Sequence, residues 1–410
     1  MSRDLYRNAA IQEGNPKWEA CIQRQELYER EDDIRSPFVR DYTRILHCTA
    51  YRRLKHKTQV FFAAKNDHIC TRIEHVNHVA SISYTISKYL GLNTELATAI
   101  ATGHDLGHSP FGHEGEYILS EIAEEYLGDK FWHEGNSLRF VDKCETLTGP
   151  DGEEYNLNLT YAVRDGILLH CGEVDDKVLF PRNEHIDLCT VTDTGQYSPY
   201  TWEGCVVKIA DKIAFLGRDI EDALHLNILT ETQLNEFSRI IEKNRGAGLS
   251  NVNNTEIIHN LILDICKSSS PETGIRFSQS NLTLLKELRE FSSTNIYNHE
   301  RLKIFKRYAR LIIESIFKTL KDAYRKERTL EFLQEKYLGI YPLLIKHYME
   351  WLQKYANNHS LPDFKRSKRY KNVLLYDMLN ERDYIQSIID FISGMTDSFA
   401  IRIFNELTTF

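Results

Sequence analysis

The chain has no pair of cysteines close enough for a zinc knuckle or a redox couple: its eight cysteines are scattered, and even Cys189 and Cys205 lie sixteen residues apart. Reduced, mostly packed thiols are the reading that remains. No run approaches the roughly 20 apolar residues that a membrane helix needs, and the opening Met1-Ser2-Arg3-Asp4-Leu5-Tyr6 lacks the apolar stretch of a signal peptide. A cytoplasmic protein with no membrane partner is therefore expected. Excess positive charge is missing too. The formal net charge of -8 provides no whole-molecule attraction to nucleic acid or anionic lipid, so an anionic ligand must be met by local cations. Internal repeats and low-complexity segments are not evident, and strand signals are few.

What is present is the composition of an ordinary globular protein, 42% hydrophobic, 11% aromatic and 27% charged, in 410 residues. A sizeable core is within reach. Residues 1–35 are polar and charged, with a turn at Gly14-Asn15-Pro16 and a run of acids and arginines from Glu29 to Arg35; they read as an arm wrapped on the body. From Asp41 to Gln59, Tyr42, Ile45, Leu46, Thr49 and Leu54 recur at helical spacing beside Arg40, Arg44, Arg52, Arg53, Lys55 and Lys57, which predicts one core face and one cationic face. A second amphipathic helix covers 71–91 and stops at Gly91, and a third, capped by Asn93 or Thr94, runs into His104-Asp105. Residues 128–205 resemble loops, short helices and a hairpin. Helical patterns return over 202–229 and continue to about 400, with breaks at Gly246–Gly248, Ser268–Gly274 and Asn357–Pro362. The expected architecture is mainly α, with few short strands: an arm (1–35), a core (36–230) and a helical C-terminal region packed on it (231–410).

Ligand-type and turn-type side chains crowd into His104-Asp105-Leu106-Gly107-His108-Ser109-Pro110-Phe111-Gly112-His113-Glu114-Gly115-Glu116. Adjacent His104 and Asp105 at a helix end are rotated only about 100° apart, so both can lean toward one point beyond the last turn. An imidazole and a carboxylate there suit a shared metal of borderline hardness, although a cap with packing would also explain such a pair. His75 on the preceding helix and Asp211, Asp219 and Asp222 on a later one add weight. Asp211, Phe215 and Asp222 fall within roughly 40° on that helix, with Asp219 at the margin, and acids interrupting an apolar face need a cation or a partner such as Lys212 or Arg218. Gly107, Pro110 and Gly112 end the helix, and a new one is predicted from His113 to about Leu127.

The pattern His75, then His104-Asp105, then Asp211 resembles the signature of the HD-domain phosphohydrolases. More closely, Arg40-Asp41-Tyr42-Thr43-Arg44-Ile45, Tyr51-Arg52-Arg53-Leu54, Lys57-Thr58-Gln59-Val60, the stretch 104–116, Leu157-Asn158-Leu159-Thr160, Asp165-Gly166-Ile167-Leu168 and Gly394-Met395-Thr396-Asp397 resemble the deoxyguanosinetriphosphate triphosphohydrolase (dGTPase-like dNTPase) family. The likeness is dense over about 35–225 and sparse in the C-terminal part.

The resemblance implies a helical HD fold whose catalytic core is the 36–230 segment. It also implies hydrolysis of deoxynucleoside triphosphates, dGTP or several dNTPs, to the deoxynucleoside and inorganic triphosphate. By matching positions, His75, His104, Asp105 and Asp211 would hold one divalent metal (Mn, Mg, Fe, Co, Ni or Zn), leaving positions open for water and an α-phosphate oxygen. His113 and Glu116, at i and i+3 on one helix face, would handle protons and activate the nucleophile, with His133 as a candidate to protonate the leaving 5′-oxygen. Arg72 and Lys212 would contact phosphates. Gln59 and Asp219 would read the sugar 3′-hydroxyl, and Phe215 stands where a tyrosine would stack on the sugar. His108 has no assigned chemistry and is expected to line the pocket or brace the turn. The resemblance further implies a homo-oligomer, dimer-based and up to a hexamer, and the cationic 40–57 segment leaves room for an allosteric nucleotide or single-stranded DNA.

The sequence departs from the family pattern at His78 (usually glutamate), at Phe215, at Arg218 (usually histidine), and at Glu134 and Asn136 (usually Asn and Gln). These changes touch sugar and base surroundings more than the metal. Two alternatives stand beside the dNTPase reading. One is an HD phosphohydrolase acting on a monophosphate, a cyclic nucleotide or an alarmone, which would not need the Gln59, His113 and Glu116 motifs. The other is a non-catalytic nucleotide-sensing or nucleic-acid-binding protein, against which the intact metal and catalytic positions argue.

Overall fold

The computed structural model describes residues 4–26, 33–61, 69–172, 178–245, 254–357 and 366–409. Among them are seventeen α-helices and four strands of two or three residues, so the mainly helical architecture expected from periodicity is the one found. The predicted breaks at Gly246–Gly248 and beyond Asn357, and most of the acidic and arginine-rich run after Glu29, lie outside the described residues. The chain divides into two compact units, each assembled from three segments: 1–46, 61–105 and 159–304 form the first, and 47–60, 106–158 and 305–410 the second.

The first unit is built on the helices Arg72–Leu90, Thr94–Gly103, Tyr161–Leu168 and Trp202–His225. Thr71 starts the first of these with a capping box in which its N–H donates to the Glu74 carboxylate at 2.8 Å. Gly91, at φ 82°, ends it as the left-handed residue a helix stop calls for. Asn93 accepts from the N–H groups of Glu95 and Leu96 and opens the next helix. Val76, Val79, Ile86, Ile100, Val206 and Ile213 are buried in this unit's core, each at the 3.6-residue period its helix predicts. Residues before the helices are tied down as well. Tyr6 is buried and its N–H donates to the Leu90 carbonyl at 2.9 Å, and the N–H groups of Ile11 and Asn93 both donate to Glu203 Oε1, at 3.1 and 2.9 Å. Asp41 accepts from Thr160 N–H and hydroxyl and from Arg24, which fixes the start of the Tyr161–Leu168 helix.

The second unit contains the helices Gly112–Leu127, His133–Arg139, Pro342–Tyr355, Glu381–Ser393 and Asp397–Thr408, with an antiparallel hairpin pairing Thr146–Thr148 with Glu154–Asn156. Ile118, Leu119 and Ile122 are buried, as are Ile385, Ile388, Ile389 and Ile392, and the two helices that carry them pack together. Polar groups in this core are satisfied locally: Asp390 accepts from Arg139 at 2.6 Å and from the Tyr376 hydroxyl at 2.6 Å.

The helix expected over 41–59 is interrupted. Pro37–His47 is helical, Cys48 is extended (φ -71°, ψ 157°), and Thr49–Arg53 forms a separate short helix. The physical reason is a second cap. Glu145, buried in the second unit, accepts from Thr49 N–H and hydroxyl at 2.7 Å each and from Arg53 at 2.8 Å, so a new helix N-terminus is better satisfied here than a continued one. The uniform cationic face is likewise corrected. Lys57 and Arg40 are buried at 2% and 4% exposure, so these two charges serve the interior.

Candidate active site

In the first unit the Thr94–Gly103 helix delivers His104 and Asp105, the Arg72–Leu90 helix delivers Arg72 and His75 one turn apart, and the Trp202–His225 helix delivers Asp211. His75 Nε2 lies 2.9 Å from Asp211 Oδ1, and Arg72 Nη1 donates to Asp105 Oδ2 at 2.7 Å. His104 Nδ1 lies 2.7 Å from the Ala101 carbonyl. A carbonyl only accepts, so Nδ1 carries a hydrogen, and the ring turns its Nε2 toward Asp105 Oδ1 (3.4 Å) and Asp211 Oδ1 (3.8 Å). Carboxylate oxygens gathered at one imidazole edge away from water call for positive charge among them. Burial opposes charge on Asp211, but the imidazoles of His75, His104 and His170 outweigh it and hold the carboxyl well below the usual range. Burial likewise opposes charge on His75, yet Asp211 and Asp105 raise its pKa. His75, His104 and Asp211 bring ligand atoms within 4.8 Å of one another, as do His104, Asp105 and His170, and imidazoles and carboxylates so placed could hold a divalent metal.

One neighbour escaped the sequence reading. His170 is buried, its Nδ1 lies 2.7 Å from the Ile167 carbonyl, and its ring stands edge-on to His104 with centroids 4.8 Å apart. The device repeats that of His104: a histidine just past a helix end, pinned through Nδ1 to the carbonyl three residues back. That position, separated from Asp165-Gly166-Ile167-Leu168 by Leu169 alone, was the available signal.

In the second unit, Glu116 sits between two histidines. Oε2 is 3.1 Å from His113 Nδ1, and Oε1 is 2.9 Å from His133 Nδ1 and accepts His133 N–H at 2.8 Å. Burial opposes its charge, and His133, His113 and His108 together hold the carboxyl far below its ordinary value, so Glu116 is ionised at neutral pH. His113 is 69% exposed in its side chain, whereas His133 is 7% exposed and stacks on His108 with centroids 3.9 Å apart. His108 thus braces His133. The turn between His108 and His113 depends on close backbone approach. A Cβ at Gly107 would strike the Ser137 backbone, and one at Gly115 would strike the Pro110 carbonyl, so both positions exclude side chains. Helix Gly112–Leu127 begins one residue before the predicted His113.

The remaining candidates divide between the units. Gln59 belongs to the second unit and is buried. Lys212 and Phe215 are half-buried on the Trp202–His225 helix. Asp219, 2% exposed, accepts from the Tyr297 hydroxyl at 2.5 Å, a partner with no sequence signal because it lies on a separate element far along the chain. Asp222, the other acid of that helix, accepts Cys70 N–H at 3.0 Å, and burial raises its pKa to about 6. His78 and Arg218, both departures from the family pattern, line one cavity of about 650 Å³ with Ile82, Ile220, Leu224 and Phe237.

Residues 72–216 match the HD domain, and that span contains every member of the histidine–aspartate cluster. The protein is therefore an HD-domain protein. Three relatives, each called deoxyguanosinetriphosphate triphosphohydrolase-like protein, extend the similarity along the chain. The one from Clostridium tetani is 32% identical over 382 residues, covering 93% of this chain and 88% of the relative. The one from Bartonella quintana is 30% identical, covering 98% and 96%, and that from Caldanaerobacter subterraneus is 35% identical, covering 70% and 73%. The chain belongs to the deoxyguanosinetriphosphate triphosphohydrolase-like family.

Proposed function

We propose that the protein hydrolyses deoxynucleoside triphosphates, dGTP or several dNTPs, to the deoxynucleoside and inorganic triphosphate. The observation that carries the proposal is the set of buried His75, His104 and Asp105 with half-buried Asp211, in which His104 Nε2 faces both carboxylates. These four residues would hold one divalent metal, which when bound polarises the α-phosphate and lowers the pKa of a water. In the reaction the water oxygen bonds to the α-phosphorus, the bond from phosphorus to O5′ breaks, the water loses a proton, and the 5′-oxygen gains one.

This chain's residues divide those tasks. His113 and His133 each face Glu116 through Nδ1, which leaves Nε2 of each ring as the atom that takes or gives a proton. The ionised Glu116 orients both rings and stabilises whichever becomes charged, as the carboxylate does in a catalytic triad. His113, with its exposed ring, and Glu116 serve the water, and His133, fixed against His108, serves the leaving oxygen. Arg72 and Lys212 offset phosphate charge, and Gln59, Phe215 and Asp219 face the sugar, Asp219 held by Tyr297. The chain passes from Asp105 to His108 through Leu106 and Gly107 alone, so the metal set and the proton-handling set are neighbours in sequence.

An assembly of several copies, a cytoplasmic location, and an activating nucleotide or single-stranded DNA bound through exposed cations of the 40–57 segment complete the proposal. Among the described residues no helix is long and apolar enough to cross a membrane. The test is to incubate the purified protein with Mn or Mg and each dNTP, singly and in pairs, and to identify the phosphorus product. Inorganic triphosphate is expected; release of orthophosphate or pyrophosphate instead overturns the proposal.

A further inference from the structure

The Gly394-Met395-Thr396-Asp397 motif has no part in the chemistry above, yet Asp397 is 4% exposed and fully engaged. Its Oδ2 accepts from Thr58 N–H at 3.0 Å and the Thr58 hydroxyl at 2.8 Å, and its Oδ1 accepts from Phe111 N–H at 2.9 Å. An acid in the first turn of a helix ordinarily serves that helix. Here the cap of the Asp397–Thr408 helix is Thr396, which accepts from Phe399 N–H, so Asp397 is spent on residues far away in sequence.

Both of its targets adjoin groups given roles above. Thr58 precedes Gln59. Phe111 is the residue from which the Gly112–Leu127 helix departs, and it has φ 66°, ψ 22°. A left-handed aromatic residue is strained and persists only where its surroundings over-determine it. The neighbouring carbonyls are held as well. Lys57 Nζ donates to the carbonyls of His108 and Ser393, and Asn136 donates to the Gly107 carbonyl at 2.6 Å and to Ser393 Oγ at 3.2 Å.

We propose that Asp397 is a positioning residue: one buried carboxylate sets the left-handed start of the helix that aims His113 and Glu116, and simultaneously the register of Gln59. This rests on the triphosphohydrolase reading for the roles of those three residues, but the bonds can be tested without it.

Asp397→Asn keeps the shape and turns one acceptor into a donor facing an N–H. Hydrogen exchange should quicken at least about tenfold in peptides spanning 57–61 and 106–117 and stay unchanged over 72–90 and 202–225. Bound metal should be unaltered while kcat falls about 100-fold, and KM should rise as Gln59 shifts. Thr58→Val removes only the hydroxyl bond and should raise KM more than it lowers kcat, with faster exchange confined to 57–61; it decides the matter if Asp397→Asn does not fold. Unchanged exchange at both segments, or faster exchange spread evenly over all peptides with KM unchanged, overturns the proposal. If wild-type protein releases no triphosphate from any dNTP, the functional reading fails, and the exchange pattern still decides whether Asp397 holds the two segments.

Discussion

Arg72 is 1% exposed, and its Nη1 donates to Asp105 Oδ2 at 2.7 Å, so Arg72→Met should act differently with and without metal. Methionine fills much of the space, which makes the charge the main loss. Without metal, the variant leaves the Asp105 carboxylate buried with its cation gone, a change that costs about 3–5 kcal/mol. With a divalent cation on Asp105 the carboxylate is compensated, and only a charge-assisted hydrogen bond is lost, about 1.5–3 kcal/mol. The difference, about 2 kcal/mol, reappears by linkage as roughly 30-fold tighter metal binding in the variant. Thermal unfolding in chelator and in excess Mn measures the two losses, and a metal titration measures the affinity. Turnover should fall in the same variant because a phosphate contact disappears. Equal destabilisation in chelator and in Mn, or weaker metal binding, would refute the claim that Arg72 and the metal share Asp105.

Asp105→Ala should lose both bound metal and turnover, whereas His113→Ala should keep the metal and slow the reaction about 100-fold or more; metal analysis beside initial rates checks both, and metal loss in the second variant would break the division of roles. Glu203 is pushed up to about 7 from 4.5 by burial, against the N–H groups of Asn93 and Ile11 that favour its charge. A carboxyl raised on folding binds more protons in the folded state. Its stabilising contribution is therefore full below about 4.5 and is lost as pH rises through about 7, a swing of about 3 kcal/mol at 1.36 kcal/mol per pH unit. Glu203→Gln keeps an acceptor for both N–H groups and should flatten the stability profile between those values, gaining over wild type at pH 8; a profile parallel to wild type would show that Glu203 is charged throughout.

Much of the fold was legible because helical period and caps are local properties. The Arg72–Leu90 helix with its Gly91 stop, the Asn93-capped helix into His104, and the restart at Gly112 follow from residues within a few positions of each boundary. The break at Cys48 did not follow, since the acid that caps Thr49 is Glu145, 96 residues away. The same holds for Lys57, whose charge reads as solvated until the His108 and Ser393 carbonyls are seen to surround its amine.

The site divides in the same way. The amino-acid sequence by itself determined the chemistry on offer: which imidazoles and carboxylates share a helix face, and that Gly107, Pro110 and Gly112 must turn the chain after Asp105. Only the tertiary structure decided which group faces which. It paired His75 with Asp211, Arg72 with Asp105, Tyr297 with Asp219 and Asp397 with Thr58 and Phe111, and it brought His170 beside His104. The reason is that a helix period fixes direction about one axis, whereas a hydrogen bond between axes depends on packing that neither segment encodes alone.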